Sequence, residues 1–335
     1  MDLSIIITNW NSGEYVVSCV ASIHAHTRGL EFEIIVVDNA STDNSVVLIE
    51  ERCPSARLLR NPLNLGFARA NNVGFQHSLG RVLLFLNPDT ELLSPAIQDM
   101  YRCLATSADI GVLGCRLLNS DMSLQTTCVH RFPTILNQIV DMEFLRQVLP
   151  RMQLWGMRPL FAEQRELPIE VEAVSGACQM INRELFEKVG FYSTGYFMYM
   201  EDLVLCEKVK RYGLKVCHLG SAAIVHHGGQ SSKKRGGEEF AGPMMKESVL
   251  RFLRSSRGPF YAWLYRLSMF MISIARITVL FVALPFSWIG LDGYSGHRSL
   301  NKWYRILRWS FGLETWTRWP WRKLDDAGLD QQGAR

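Results

Sequence analysis

Three apolar runs of strand length stop abruptly on amides or carboxylates, and this repeated design limits what the chain can fold into. Leu3-Ser4-Ile5-Ile6-Ile7-Thr8 runs into Asn9-Trp10-Asn11. Glu33-Ile34-Ile35-Val36-Val37 runs into Asp38-Asn39, and Val82-Leu83-Leu84-Phe85-Leu86 into Asn87-Pro88-Asp89. Continuous β-branched runs read as strands buried on both faces, as in a parallel sheet covered by helices. Pro88 cannot donate to a sheet ladder, so its strand must end there. Between the runs, Ser12 to His26 fits a helix with Ser12 as N-cap and Val16, Val17, Val20 and Ile23 along one side. Ser41-Thr42-Asp43-Asn44 opens a second helix reaching about Glu51. Ala56 to Arg60 reads as a short strand and Gly66 to Ser78 as a third helix. The order β-α-β-α-β-α-β predicts a doubly wound α/β domain. Ligands of such sheets bind at the carboxyl ends of the strands, where Asn9, Asp38 and Asp89 all fall.

The groups at those ends restrict the ligand. There is no Gly-x-Gly-x-x-Gly after the first strand and no Gly-Lys-Ser/Thr loop, which argues against a dinucleotide-binding site and a P-loop. Amides and carboxylates can instead hydrogen-bond a base and ribose, and a later carboxylate can hold a divalent cation on a diphosphate. Taken singly, each residue has a plainer reading. Asn-Pro-Asp is an ordinary turn sequence, and Asp38 would serve as a helix N-cap.

Two further clusters lie downstream. Tyr196-Phe197-Met198-Tyr199-Met200 leads into Glu201-Asp202 and then a helix, Leu203 to Tyr212, stopped by Gly213. Two acids at a helix start favour its dipole; they could equally supply a general base in a partly apolar pocket, one of them raised in pKa by burial and like charge. Ala223-Ile224-Val225 reads as a short strand ending in His226-His227-Gly228-Gly229, and histidine is both a metal ligand and an ordinary surface residue. Ser231 to Gly237 reads as a flexible basic loop, either a lid over an anionic donor or a solvated charge run.

In order, Thr8-Asn9-Trp10-Asn11, Val37-Asp38-Asn39-Ala40-Ser41-Thr42-Asp43, Asn64-Leu65-Gly66-Phe67-Ala68-Arg69-Ala70-Asn71-Asn72, Leu86-Asn87-Pro88-Asp89, Val174-Ser175-Gly176-Ala177-Cys178, Phe197-Met198-Tyr199-Met200-Glu201-Asp202 and His226-His227-Gly228-Gly229-Gln230-Ser231 resemble the family 2 nucleotide-sugar glycosyltransferases. The likeness is strongest to the bacterial rhamnosyltransferase-like branch and covers roughly residues 2 to 235. It implies a GT-A type fold, a doubly wound and mostly parallel sheet. It also implies a donor site in which Asp38 hydrogen-bonds the pyrimidine, Asn9 and Asn11 line the same pocket, and Asn64, Gly66, Phe67 and Asn71 wrap the nucleotide from the other side. Asp89 matches the last carboxylate of the family's Asp-x-Asp metal motif, with Asn87 in the first position. The metal implied is Mg²⁺ or Mn²⁺, with His226 a further partner for the metal or the diphosphate. Asp202 matches the base that deprotonates the acceptor hydroxyl, supported by Glu201. The chain departs from the family at Val204, where a further Asp is usual, at Lys208, where Arg is usual, and at Tyr192-Ser193, which replaces Asp-Glu.

Length and composition set the organisation. The chain has 335 residues, 36 Lys and Arg against 32 Asp and Glu, and eight Cys without a Cys-x-x-Cys pair. Met1 leads almost directly into a strand. Buried free thiols in a reducing cytoplasm are expected. A catalytic domain is expected over residues 1–247, its donor half at about 1–114 and its acceptor half at about 115–247. Within the latter, a hairpin near Cys115 to Thr127 and helical elements between Thr134 and Met157 are expected.

The composition shifts near Glu247, and residues 248–335 read as a basic, Trp-rich helical tail. From Arg251 to Lys323 twelve basic residues face only Asp292 and Glu314, and seven Trp fall in the same stretch. Leu267 to Leu291 is apolar and long enough to cross a bilayer, but Arg276 and Pro285 interrupt it. A central Arg costs roughly 2.5–3.5 kcal/mol on insertion scales. Interfacial helices are the rival to a spanning one, and interfacial or re-entrant attachment is the expectation. No nucleic-acid-binding signature accompanies the basic residues.

The reading is thus an inverting, metal-dependent glycosyltransferase at the cytoplasmic face of a membrane. The resemblance favours dTDP-rhamnose as the donor; the acceptor is a hydroxyl of a lipid-linked saccharide. A nucleotidyltransferase with a similar strand-end metal site and an inactive saccharide-binding relative are the alternatives.

Overall fold

The structure is a computed structural model; it describes residues 1–140, 167–228, 237–283 and 293–314, with Thr317 and isolated positions between 145 and 160. The loop Ser231–Gly236, Pro285 and the chain beyond Thr317 lie outside the described residues, so the expected lid and the break at Pro285 do too. The contacts divide the chain into two compact units. One comprises Met1–Phe132, Arg146–Phe197 and Glu201–Ser231, the other Pro133–Leu145, Met198–Met200 and Ser232–Arg335.

Among the described residues, the first unit is built on a nine-stranded sheet. Leu3–Asn9 (β1), Phe32–Asp38 (β2), Ala56–Arg60 (β3) and Val82–Leu86 (β4) lie parallel in the order β3-β2-β1-β4. Helices Gly13–His26, Ser45–Arg52 and Phe67–Gln76 form the crossovers. Ile5, Ile6, Ile7, Ile35, Val36, Val37 and Leu83 to Phe85 are wholly buried, each side chain contributing about 1.5–3 kcal/mol. The chain winds from β1 through β2 to β3, then returns to the other side of β1 at β4. The ends of β1 and β4 therefore flank the point where the winding reverses, the usual ligand position in such sheets.

Beyond β4 the sheet becomes mixed. After Thr90–Leu92 (β5), helix Ala96–Thr106 leads to Ile110–Leu118 (β6), which lies beyond the antiparallel Cys178–Asn182 (β10). Lys215–His226 (β11) runs parallel to β6, shifts register between Leu219 and Ala223, and pairs antiparallel with Ile169–Glu170 (β8) and with β5. The three-residue strand expected at Ala223 is thus the end of a twelve-residue one. Val129–His130 (β7) and Ala173–Val174 (β9) form a separate two-stranded sheet.

Several local expectations change. Ser12 occupies the N-cap of its helix but makes no side-chain cap hydrogen bond; its hydroxyl donates to the Trp10 carbonyl at 3.2 Å. The second helix starts at Ser45, so Asp38 is not its cap. The expected hairpin after Cys115 is one bridge, Leu118 to Leu124, closing a tight turn, and the expected cut between residues 114 and 115 falls inside β6.

The second unit is helical. Thr134 and Asn137 form a capping box on helix Ile135–Ile139. Gly237–Arg257, Pro259–Ala283 and Gly293–Ser310 are the longer helices, and the expected boundary after Glu247 falls inside the first of them. The Trp309 indole donates to Glu247 Oε2 at 2.9 Å, and Arg251 meets the other carboxylate oxygen at 3.3 Å. Arg276 donates to the Ile139 carbonyl at 3.0 Å and lies over the Trp303 ring, 4.3 Å from its centre. The charge inside the apolar run is thus satisfied within the helical unit.

Candidate active site

The end of β1 is organised by Asn9 and Asp38. The Asn9 amide donates to Asp38 Oδ1 at 2.8 Å and to Ser41 Oγ at 3.1 Å, and its carbonyl oxygen accepts the Ser12 N–H at 3.2 Å. Asp38 Oδ2 accepts the Ser41 N–H at 3.0 Å, which folds the chain back at the strand end. Asn11 sits in the left-handed region at φ 54° and accepts the Thr42 N–H at 2.7 Å. Both residues are therefore held rigidly by the turn after β2, with Asp38 almost fully buried.

Asn39, which the sequence reading did not single out, joins this turn to the next loop. Its amide donates to Asn64 Oδ1 at 2.8 Å and to the Gly66 carbonyl at 3.3 Å, while its oxygen accepts from Leu65 N–H and Asn61. Its position beside Asp38 in the quoted motif was the available signal. Gly66 has φ 80°, and a Cβ there would lie 2.3 Å from the Phe197 carbonyl oxygen. That oxygen accepts the Phe67 N–H at 2.9 Å, so the glycine admits the chain's own backbone. Asn71 donates to the Phe67 carbonyl, and its buried Oδ1 has no partner among the described residues.

The second cluster forms where β5 pairs with the end of β11, Thr90 opposite His226. His226 Nε2 lies 3.3 Å from Asp89 Oδ1 and 3.2 Å from Asn87 Nδ2. Its Nδ1 lies 2.7 Å from Gln125 Oε1. His227 points the other way, as strand alternation requires, with Nε2 3.3 Å from Glu91 and Nδ1 2.8 Å from Ser120 Oγ. His226 is thus the histidine that faces Asp89. Two ligands about 2.1 Å from an octahedral ion stand roughly 3 Å apart, so this pair fits a small divalent cation that takes its other ligands from water or phosphate. Among the described residues no third His, Cys, Asp or Glu joins them.

The third cluster is the acid pair. Tyr199 and Met200, both with positive φ at 69° and 74°, turn the chain into helix Glu201–Arg211. Such conformations cost about 1–3 kcal/mol each and cluster at functional sites. The two acids then part company. Glu201 is buried, and its Oε2 has no partner among the described residues. Burial, reinforced by the Asp202 charge, pushes its carboxyl well above the usual carboxylate range. Asp202 is half-buried and accepts N–H groups from Gly176 at 2.8 Å and Leu203 at 2.9 Å. The raised acid is Glu201, leaving Asp202 as the accessible, backbone-stabilised carboxylate. Consecutive residues tie this cluster to the second, since Ala177, next to Gly176, accepts the Asn87 N–H at 3.0 Å.

Tyr192, one of the departures from the family pattern, is a core residue. Its hydroxyl donates to Gln179 at 2.7 Å, and its backbone exchanges two hydrogen bonds with the Asn72 amide. Burial, with the Asp202 charge, pushes its phenol well up, so it stays a neutral donor.

The reversing α/β sheet, turned mixed beyond β4, is a fold of the GT-A type. The model of glycosyl transferase family 2 matches residues 4–190, and the chain belongs to that family; it is a glycosyltransferase. It is 25% identical over 232 residues to a Haloferax volcanii hexosyltransferase of low-salt glycan biosynthesis, 68% of this chain and 67% of that one. It is 25% identical over 247 residues to the N-acetylglucosaminyl-diphospho-decaprenol L-rhamnosyltransferase of Mycobacterium tuberculosis, 69% of this chain and 77% of that one. A mannosyltransferase from Pyrobaculum calidifontis, solved with GDP-Man and Mn²⁺, shares the fold at a TM-score of 0.54 and 14% identity, covering 93% of this chain and 86% of that one.

Proposed function

We propose that the protein transfers a sugar, with inversion, from a nucleotide-diphosphate donor to a hydroxyl of a lipid-linked saccharide. dTDP-rhamnose is the favoured donor, in keeping with the rhamnosyltransferase relative, whose name carries a diphospho-decaprenol acceptor. The observation that carries the reading is the convergence of Asp89 and His226 Nε2 at 3.3 Å beside the reversal of the sheet. Asn9, Asn11, Asp38, Asn64, Phe67 and Asn71 form the nucleoside side of the site. Asp89 and His226, with Asn87 beside them, would hold Mg²⁺ or Mn²⁺, which when bound neutralises charge on the leaving diphosphate.

Asp202 takes the proton of the acceptor hydroxyl. The hydroxyl oxygen then attacks the anomeric carbon from the side opposite the departing diphosphate, which inverts that centre. Two backbone N–H groups orient Asp202, and burial pushes the Glu201 carboxyl well above its usual range, towards the uncharged form. The test is transfer from a panel of nucleotide sugars to a diphospho-polyprenyl saccharide, read by mass spectrometry. Release of nucleoside diphosphate with a product of opposite anomeric configuration supports the reading; no transfer from any nucleotide sugar, with pyrophosphate released instead from a nucleoside triphosphate and a sugar phosphate, overturns it.

The acceptor class agrees with the helical unit. Among the described residues one helix, Pro259–Val282, is long and apolar enough to cross a membrane. Its outward residues Phe260, Trp263, Leu267, Met271 and Ile274 are exposed and spaced three or four apart on one face, with Phe281 exposed seven residues further on. Ala262, Tyr265, Met269 and Ser273 face inward. The exposed face is therefore the apolar one, the pattern of a helix lying in a membrane interface, here the cytoplasmic face. Trp263→Asp combined with Phe260→Ser should lower binding to anionic liposomes severalfold in a sedimentation assay; undiminished binding counts against this face.

A further inference from the structure

The donor-site histidine is held by a chain of hydrogen bonds that runs away from the site to an exposed carboxylate, and every link has a direction. It begins in the turn after β6. Ser123 Oγ lies 2.5 Å from Asp121 Oδ1, and the Asn119 amide donates to Ser123 Oγ at 2.9 Å. Asn119 Oδ1 in turn accepts from Gln125 Nε2 at 3.1 Å, and the same Nε2 lies 3.4 Å from the His226 carbonyl oxygen. Gln125 Oε1 is then left facing His226 Nδ1 at 2.7 Å.

An ionised carboxylate only accepts hydrogen bonds. Hydrogen bonds from the Ser123 hydroxyl and N–H hold the Asp121 carboxyl below its ordinary range, so it is an acceptor at neutral pH. Ser123 must therefore give its proton to Asp121 and receive one from Asn119. That fixes Asn119 with its oxygen towards Gln125, and Gln125 with its oxygen towards the ring. The His226 carbonyl oxygen, an acceptor 3.4 Å from Gln125 Nε2, favours the same orientation independently.

We propose that Gln125 is a positioning residue that fixes the tautomer of His226, holding the proton on Nδ1 and leaving the Nε2 lone pair towards Asp89. This rests on the reading of Asp89 and His226 as metal ligands. Free neutral imidazole prefers its proton on Nε2. Without Gln125 that proton would lie between the ring and Asp89, and the two groups would bond each other. In metal sites the hydrogen bond at one ring nitrogen decides which nitrogen is free to ligate, and removing such an outer partner commonly costs about 10–100-fold in metal affinity. The Asn87 amide, 3.2 Å from Nε2, is placed to donate to that lone pair.

Two measurements on the full-length protein separate this inference from the reading beneath it. With nitrogen-15 histidine, long-range proton–nitrogen correlation reports each ring's tautomer, and loss of a signal in His226→Gln assigns His226. The expected result is the Nδ1–H form without metal, lost in Gln125→Leu and kept in Gln125→Glu, which retains an acceptor. The Nε2–H form in the unaltered protein overturns the inference, whether or not any variant folds. Titration of Mn²⁺ by electron paramagnetic resonance, with nucleoside diphosphate present, is the second. Gln125→Leu should weaken Mn²⁺ about 10–100-fold and Gln125→Glu should restore it. If Asp89→Asn abolishes binding while Gln125→Leu leaves it unchanged, Gln125 does not position the ligand. If the unaltered protein binds no Mn²⁺ but shows the Nδ1–H form, the tautomer assignment stands and the metal reading falls.

Discussion

Two acidic centres of this glycosyltransferase use the same functional group in opposite ways. Asp89 meets a side chain, His226, whose Nε2 also lies beside the Asn87 amide, so the polar atoms converge on that nitrogen. Asp202 meets backbone, the N–H groups of Gly176 and Leu203, while its neighbour Glu201 is buried with an unsatisfied oxygen. Converging side chains suit a centre that would share a cation. Fixed backbone donors suit a carboxylate that must keep one orientation. Burial pushes the Glu201 carboxyl beside it well above the usual range, because two charges there would oppose each other.

Asp202→Asn should be the most damaging change if the division of labour is real. Turnover is expected to fall about 10²–10⁴-fold with donor affinity unaltered, measured by steady-state kinetics and donor titration. Loss of donor affinity in parallel would merge the two centres. Asp89→Asn should do the reverse, weakening Mn²⁺-supported donor binding by at least about 10–100-fold in calorimetry. Full activity in chelator would break that side of the comparison. Gly66→Ala lies outside both centres. With φ at 80° and the Phe197 carbonyl 2.3 Å from the added carbon, it should cost about 1–3 kcal/mol of stability, read as a lower Tm.

Glu201→Gln is the smallest and most discriminating change. The amide mimics a protonated acid, so turnover should stay within about tenfold of the original, well short of the loss at Asp202. Its stability effect depends on pH. Folded Glu201 holds a proton that the unfolded chain releases above about 4.5, so the wild-type protein loses stability as pH rises from there towards the raised folded value. The variant lacks that loss, and its Tm advantage should widen as pH rises above about 4.5. A constant difference would show Glu201 ionised in the fold.

How legible these features were in the sequence follows from what each side chain meets. β1, β2 and β4 could be read because both faces of each are covered and each carries an unbroken run of at least three apolar residues. β10 could not, because its second residue, Gln179, is a buried partner of Tyr192. β11 hid behind its register shift, where Gly220-Ser221 breaks the pattern and only the last residues read as strand. The acid pair was legible as a pair, but which acid is raised depends on burial that sequence does not reveal. Gln125 carried no local signal, since its meaning comes from a histidine 101 residues away. Arg276 stood out as an anomaly, yet its partners Ile139 and Trp303 lie on separate helices.

The antiparallel β10, seated between β4 and β6, has a consequence for how the molecule is made. Cys178 lies beside Leu86, so the edge of β4 stays unpaired on a growing chain until residues 178–182 leave the ribosome. At about 5–20 residues per second, an apolar strand edge waits roughly 5–20 s for its neighbour. Through that interval the nascent first half presents Val82 to Leu86 to any strand that will pair with it. Synthesis rate and chaperone occupancy across this window, more than the stability of the finished sheet, set how much of the chain reaches the native state.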